Sequence, residues 1–159
     1  MKPIINIEEV ELAPSSFPAP EGTKAAFGGK LAWLGPMIGA KKLGYNITAV
    51  EPGKRVFPFH NHRVNEEMFF ILEGSGEVRI GSETYPIRKG DIIACPPGDA
   101  STAHQIINTG SEEMRYLAVS TKESPEIADY PDSGKFGLLA EGARYVGRFD
   151  QSLDYWEGE

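Results

Sequence analysis

His60-Asn61-His62-Arg63-Val64-Asn65-Glu66-Glu67-Met68-Phe69-Phe70-Ile71-Leu72-Glu73-Gly74 is the stretch on which the reading of this chain turns. In extended backbone, side chains two apart share a face, so His60 and His62 project together. A turn over Arg63-Val64-Asn65 lets Glu67, at the head of the next run, come beside them. Within that run Glu67, Phe69 and Ile71 fall on one face and Met68, Phe70 and Leu72 on the other. Both faces are apolar, so both need cover. The third and last histidine of the chain, His104, opens a further β-favouring run with Ile106 and Asn108 on its own face. Imidazoles plus one carboxylate form a mixed N/O donor set suited to Fe, Mn, Ni, Cu or Zn. A His-x-His pair alone reads more readily as exposed polar residues on a strand edge.

Outward from this stretch the chain is heavily punctuated, with 18 Gly and 12 Pro leaving little room for long helices. Short β-favouring runs succeed one another: 31–38, 43–50, 56–62, 67–73, 77–80, 83–87, 91–95, 104–108 and 114–121. Many short strands with turn signals between them predict an all-β sandwich or barrel. Gly74 and Gly76 are expected to relieve a tight reversal where positive φ is required. Pro96-Pro97-Gly98 ends a run and turns the chain. Before the runs lies an irregular arm rich in proline and glycine. After Thr121 the pattern loosens, with two further strands expected over 136–140 and 144–149 before an acidic tail. One domain over 1–159 is expected, with a barrel core at about 31–121, an N-terminal arm 1–30 and a C-terminal extension 122–159.

Composition narrows the function classes. The 159 residues carry 16 Lys+Arg against 23 Asp+Glu, a formal charge of −7, which argues against a general nucleic-acid or anionic-membrane surface. No apolar run approaches the ~20 residues that span a bilayer. The single cysteine, Cys95, cannot close an internal disulfide, so a cytoplasmic setting is expected. It reads as a core residue and not as a nucleophile.

The histidine stretch resembles the first cupin motif, H-x-H-x4-E-x6-G. Gly90-Asp91-Ile92-Ile93-Ala94-Cys95-Pro96-Pro97-Gly98, followed by His104-Gln105-Ile106-Ile107-Asn108, resembles the second. The likeness spans roughly 43–121 and implies a double-stranded β-helix, or jelly-roll, barrel. It also implies one divalent transition metal per chain, held by His60, His62, Glu67 and His104. All three histidines fall on ligand positions. There are two departures: a loop of five residues, Asp99 to Ala103, stands where the family pattern has two, and six residues separate Gly53 from His60 instead of five.

With Glu67 facing the barrel interior, Phe69 and Ile71 are expected to wall the pocket, with Tyr45 and Asn108 as further lining. No Lys/Arg cluster falls at the inward register of these strands, which gives a phosphorylated substrate little support. The resemblance implies a small-molecule ligand or substrate and a homodimer that covers the Met68, Phe70, Leu72 face, unless an arm does so. Two functions stand side by side: a metal-dependent enzyme, either isomerase or dioxygenase, and a non-catalytic cupin that binds a sugar or another metabolite.

Overall fold

The structure is a computed structural model that describes residues 2–15, 22 and 26–159; the rest of the expected irregular arm lies outside the described residues. The described strands, in chain order, begin with β1 (Ala13–Pro14), β2 (Lys30–Trp33), β3 (Leu43–Val50), β4 (Asn61–His62) and β5 (Glu67–Glu73). They continue with β6 (Ser75–Ile80), β7 (Glu83–Arg88), β8 (Ile92–Cys95), β9 (His104–Ile107) and β10 (Met114–Thr121). The C-terminal extension adds β11 (Glu126–Tyr130), β12 (Lys135–Ala140) and β13 (Ala143–Gly147). One short α-helix among the described residues, α1 (Leu34–Ile38), comes directly after β2.

The pairings between these strands are all antiparallel, and the described strands form three sheets. Six run in the order β1-β2-β3-β10-β5-β8, three in the order β7-β6-β9, and four in the order β13-β12-β11-β4. Pro14 and Pro86 sit in the edge strands β1 and β7, where a missing ladder donor costs least. Between the first two sheets lies the main core, which includes Leu31, Val50, Phe69, Ile71, Val78, Ile93, Ile106, Met114 and Tyr116. This is an all-β barrel, as the runs predict, and specifically the double-stranded β-helix that the cupin resemblance implies.

The opposite face of the six-stranded sheet is also apolar, and the N-terminal arm covers part of it. Ile5, Ile7, Val10 and Leu12 pack with Tyr45, Leu72 and Leu117 against Ala32, Leu34 and Ile47. Tyr45 therefore belongs to this outer cluster and not to the pocket lining assigned to it from the sequence. Farther along the same face Met68 and Phe70 are half-buried, and Ile92, opposite Phe70 on the edge strand, is 70% exposed.

Local chemistry explains where the strands depart from the expected runs. The run 31–38 is cut at Leu34, where Gly35 and Pro36 begin α1, which ends on Gly39 in the left-handed region at φ 79°. The run 56–62 yields only β4, since Pro58 can donate no ladder hydrogen bond. Gly74 has the positive φ expected, 77°, but Gly76 does not. Its role is close approach: a Cβ there would stand 2.3 Å from the Ile107 carbonyl oxygen. The expected strand 144–149 ends at Gly147, and β11 is an additional strand that pairs with β4.

Candidate metal centre

Four side chains converge where the three sheets meet. His60 and His104 lie opposite one another in an isolated antiparallel bridge, with N–H to O distances of 3.2 and 2.8 Å. His62 is the second residue of β4, Glu67 the first of β5, and His104 the first of β9. From Glu67 Oε2, His104 Nε2 stands at 2.9 Å, His62 Nε2 at 3.4 Å and His60 Nε2 at 3.8 Å. Donor atoms of His60, His62 and Glu67 lie within 4.8 Å of one another, a spacing that can hold a metal ion.

The lengthened loop delivers His104. Asp99 folds it into a compact turn: its carboxylate accepts from the Ser101 backbone N–H at 2.8 Å and the Ser101 hydroxyl at 2.7 Å. Its carbonyl accepts from the Thr102 N–H and hydroxyl, each at 3.0 Å. The extra residues are thereby taken up before the strand begins.

The imidazoles are oriented from behind. His60 Nδ1 lies 2.8 Å from the Pro58 carbonyl, and His104 Nδ1 lies 3.3 Å from the Thr102 carbonyl. Carbonyl oxygens only accept, so with a cation at Nε2 these contacts would hold the ring proton on Nδ1; without one, Nε2 of His104 faces the Glu67 carboxylate. His62 Nδ1 faces the buried carboxylate of Glu126 at 3.6 Å. The His60 and His62 imidazoles with the Glu67 carboxylate make a mixed N/O set that fits a divalent transition metal; His104 stands outside that group, its Nε2 2.9 Å from Glu67 Oε2.

The electrostatics agree with a ligand role for Glu67. Burial works to raise its pKa, but hydrogen bonds from His104 and His62 and the imidazole charges outweigh burial and hold it well below the usual carboxylate range. Burial, followed by the neighbouring His104, pushes His60 down to about 4, so this ring is neutral near pH 7. For His62 burial is outweighed by Glu67 and Glu126, and its pKa rises. Cys95, paired with Glu67 across β5 and β8, is buried, and burial with the nearby carboxylate pushes its thiol up to about 12. That thiol is inert at neutral pH.

The other residues singled out from the sequence separate clearly. Phe69 stands beside His104, ring centroids 5.5 Å apart, and packs edge-on against Tyr116 at 5.6 Å. Ile71 is fully buried in the main core. Asn108 is also fully buried, and its amide is spent on the Val50 and Glu112 carbonyls and the Gly110 N–H. It is scaffold.

Sequence reasoning missed the contribution of the C-terminal extension. Ala128 pairs with His62 and with Gly137, so alternation puts Glu126, Ala128 and Tyr130 of β11 on the His62 face. On the same face are Lys135, which pairs with Tyr130, and Arg144, which pairs with Leu139. The Tyr130 ring stacks near His60 with centroids 6.1 Å apart, and Lys135 Nζ lies 5.7 Å from the Tyr130 ring. The available signal was the alternation Glu126-Ile127-Ala128-Asp129-Tyr130 ahead of a Pro-Asp-Ser-Gly turn, which marks a hairpin.

Comparison with known proteins places this geometry. A sugar phosphate isomerase of the cupin superfamily from Silicibacter pomeroyi is similar in structure, with a TM-score of 0.82 at 26% identity, covering 96% of this chain and 98% of that one. An oxalate-binding protein of Thermotoga maritima is 34% identical over 68 residues, 43% of this chain and 53% of that protein. An uncharacterised protein of Methanocaldococcus jannaschii is 38% identical over 61 residues, 38% of this chain and 46% of that protein. The matches span about half the length of these curated relatives. The model of the cupin domain matches residues 46–120. With both motifs inside that span and a double-stranded β-helix around them, the chain belongs to the cupin superfamily.

Proposed function

We propose that this cupin is a metal-dependent enzyme that isomerises a small acidic sugar, such as a sugar phosphate, between its aldose and ketose forms. One observation carries the reading: a single sheet face bears the ligand His62 and, two and three strands away, the cations Lys135 and Arg144. In a chain of net charge −7, two cations on the metal side offer a seat for an anionic substituent. The likeness to the Silicibacter pomeroyi sugar phosphate isomerase over nearly the whole chain supports the same substrate class.

A divalent ion held by His60, His62, Glu67 and His104 would polarise a bound carbonyl. Phe69 and Tyr116 supply the apolar wall that keeps the neighbourhood dry. Isomerisation also needs a proton moved between adjacent carbons. Tyr130, whose ring lies 6.1 Å from that of His60 and is no ligand, would donate a hydrogen bond to a substrate oxygen while that proton moves. Burial raises its pKa, with Arg144 opposing, so it would act from the protonated form.

The test is NMR detection of interconversion in a panel of aldose and ketose phosphates, with metal-loaded protein and with His60→Ala/His62→Ala. Metal-dependent conversion of one pair supports the reading. Oxygen uptake without isomerisation would favour dioxygenation instead. The oxalate-binding relative motivates a second reading, a non-catalytic binder, which predicts saturable binding with no product under any of these conditions. In the same proposal the protein works in the cytoplasm as a homodimer, with the Met68, Phe70 and Ile92 strip as the contact.

A further inference from the structure

Glu126 lies six residues beyond the matched cupin span, on β11, yet it is only 4% exposed. Its surroundings account for the burial. Oε1 accepts from the backbone N–H groups of Arg63, Val64 and Ile127 at 3.1, 3.2 and 2.8 Å. Oε2 accepts from the Asn65 N–H at 2.7 Å and from the Asn65 side-chain amide. Glu126 therefore clasps the turn that joins ligand His62 to ligand Glu67. Asn65 extends the clasp: its Oδ1 accepts from the Thr121 hydroxyl at 2.9 Å and the Glu123 N–H at 2.6 Å.

A second observation points past simple scaffolding. His62 Nδ1 is buried and has no hydrogen-bond partner among the described residues, and the acceptor that faces it is Glu126 Oε2 at 3.6 Å. His60 and His104 each present Nδ1 to a backbone carbonyl; His62 alone presents it to a carboxylate. A carboxylate behind a ligating imidazole fixes its tautomer and increases its basicity, and removing such a partner typically costs 10–100-fold in metal affinity.

We propose that Glu126 is a positioning residue for the metal: its carboxylate faces the Nδ1–H of His62 as acceptor, so that Nε2 is the ligating atom, and it holds His62 and Glu67 at their mutual spacing. This inference rests on reading His60, His62, Glu67 and His104 as the ligand set. It assigns the C-terminal extension a direct part in metal retention.

The experiment uses the full chain, stripped with chelator and titrated with zinc, in three forms: wild type, Glu126→Gln and Asn65→Ala. Asn65→Ala loosens the same turn but keeps the Glu126 carboxylate opposite His62, so it reports what a purely structural clasp would do. The expected result is roughly 10–100-fold weaker zinc binding in Glu126→Gln and a change of no more than a few-fold in Asn65→Ala. Nitrogen-15 spectra of the zinc-loaded wild type give a readout that survives a poorly folding variant. His62 is expected to carry its proton on Nδ1 and to bind through Nε2. Binding through Nδ1, unchanged affinity in Glu126→Gln, or equal losses in both variants would each overturn the assignment. A wild type that takes up no zinc or other divalent ion would overturn the ligand set itself, and this inference with it.

Discussion

Replacing Gly76 with alanine sets a methyl carbon 2.3 Å from the Ile107 carbonyl oxygen, 3.2 Å from Asn108 Cα and 3.3 Å from the Ile107 carbonyl carbon. None of these is the mobile end of a side chain, so the backbone itself must yield. To restore ordinary contact, β6 and β9 must part by about 1 Å at this point, within a ladder that pairs Glu77 with Ile107 and Ile80 with His104. Overpacking of this kind costs ~1–3 kcal/mol, and weakened ladder hydrogen bonds add ~1 kcal/mol. A loss of about 3 kcal/mol is expected, which for a domain of this size lowers Tm by roughly 6–12 °C. Because the strain runs along the strand that begins with His104, zinc affinity should fall as well. Gly28→Ala is the control: its nearest neighbours are Lys54 side-chain carbons at 3.8 Å, and its φ is not positive. That substitution should be neutral or gain ~0.4–1 kcal/mol. Urea unfolding followed by tryptophan fluorescence gives both midpoints. A Gly76→Ala midpoint equal to that of the wild type, or an equal drop in Gly28→Ala, would refute the close-approach argument.

Elemental analysis should find about one divalent ion per chain in the purified protein and almost none in His60→Ala/His62→Ala, with His104→Ala intermediate. In the metal-free protein His60 titrates at about 4 in the native state against 6.5 ordinarily, so the unfolded chain takes up its proton first. Its contribution is therefore present above pH 6.5 and lost as pH falls towards about 4, amounting to about 3 kcal/mol at ~1.4 kcal/mol per unit. His60→Asn should flatten that part of the stability profile, and superimposable profiles would count against the burial of this ring. Sedimentation should give a dimer for the wild type and a lighter species for Ile92→Lys, which places a charge on the 70% exposed position of the apolar strip. A wild-type monomer would leave the N-terminal arm as the whole cover.

The meeting of His60, His62 and Glu67 is legible in the chain because its logic is local. His60 and His62 share a face through alternation, and Glu67 opens the next strand after a short turn. Where a property depends on a partner far along the chain, the sequence is mute. Nothing near Glu126 announces that its carboxylate turns back across more than sixty residues to clasp Arg63, Val64 and Asn65. The barrel strands offer no inward cluster of cations in their sequence, but Lys135 and Arg144 arrive on the metal side through a separate sheet. Tyr45 illustrates the opposite limit. Its strand is expected from the sequence, but the side of the sheet it faces is filled by Ile5, Ile7, Val10 and Leu12 of the N-terminal arm. An arm without periodic pattern gives no sign of where it will lie. Asn108 has the inward register of His104, yet open strand ends draw its amide into backbone hydrogen bonding.

Strand β4 is only two residues long, and its partner across the sheet is β11. A version of the chain cut after Thr121 would keep every residue of both histidine motifs and the whole matched span. It would nevertheless leave Asn61 and His62 without their sheet neighbours, and Arg63 without the Asp129 carboxylate that receives it at 2.8 and 2.9 Å. The signature and the strand that pairs with it are thus separate parts of the chain. If Glu126 positions a metal as proposed, two chains with identical motifs would differ in how firmly they hold it, since Glu126 and β11 lie outside the motif.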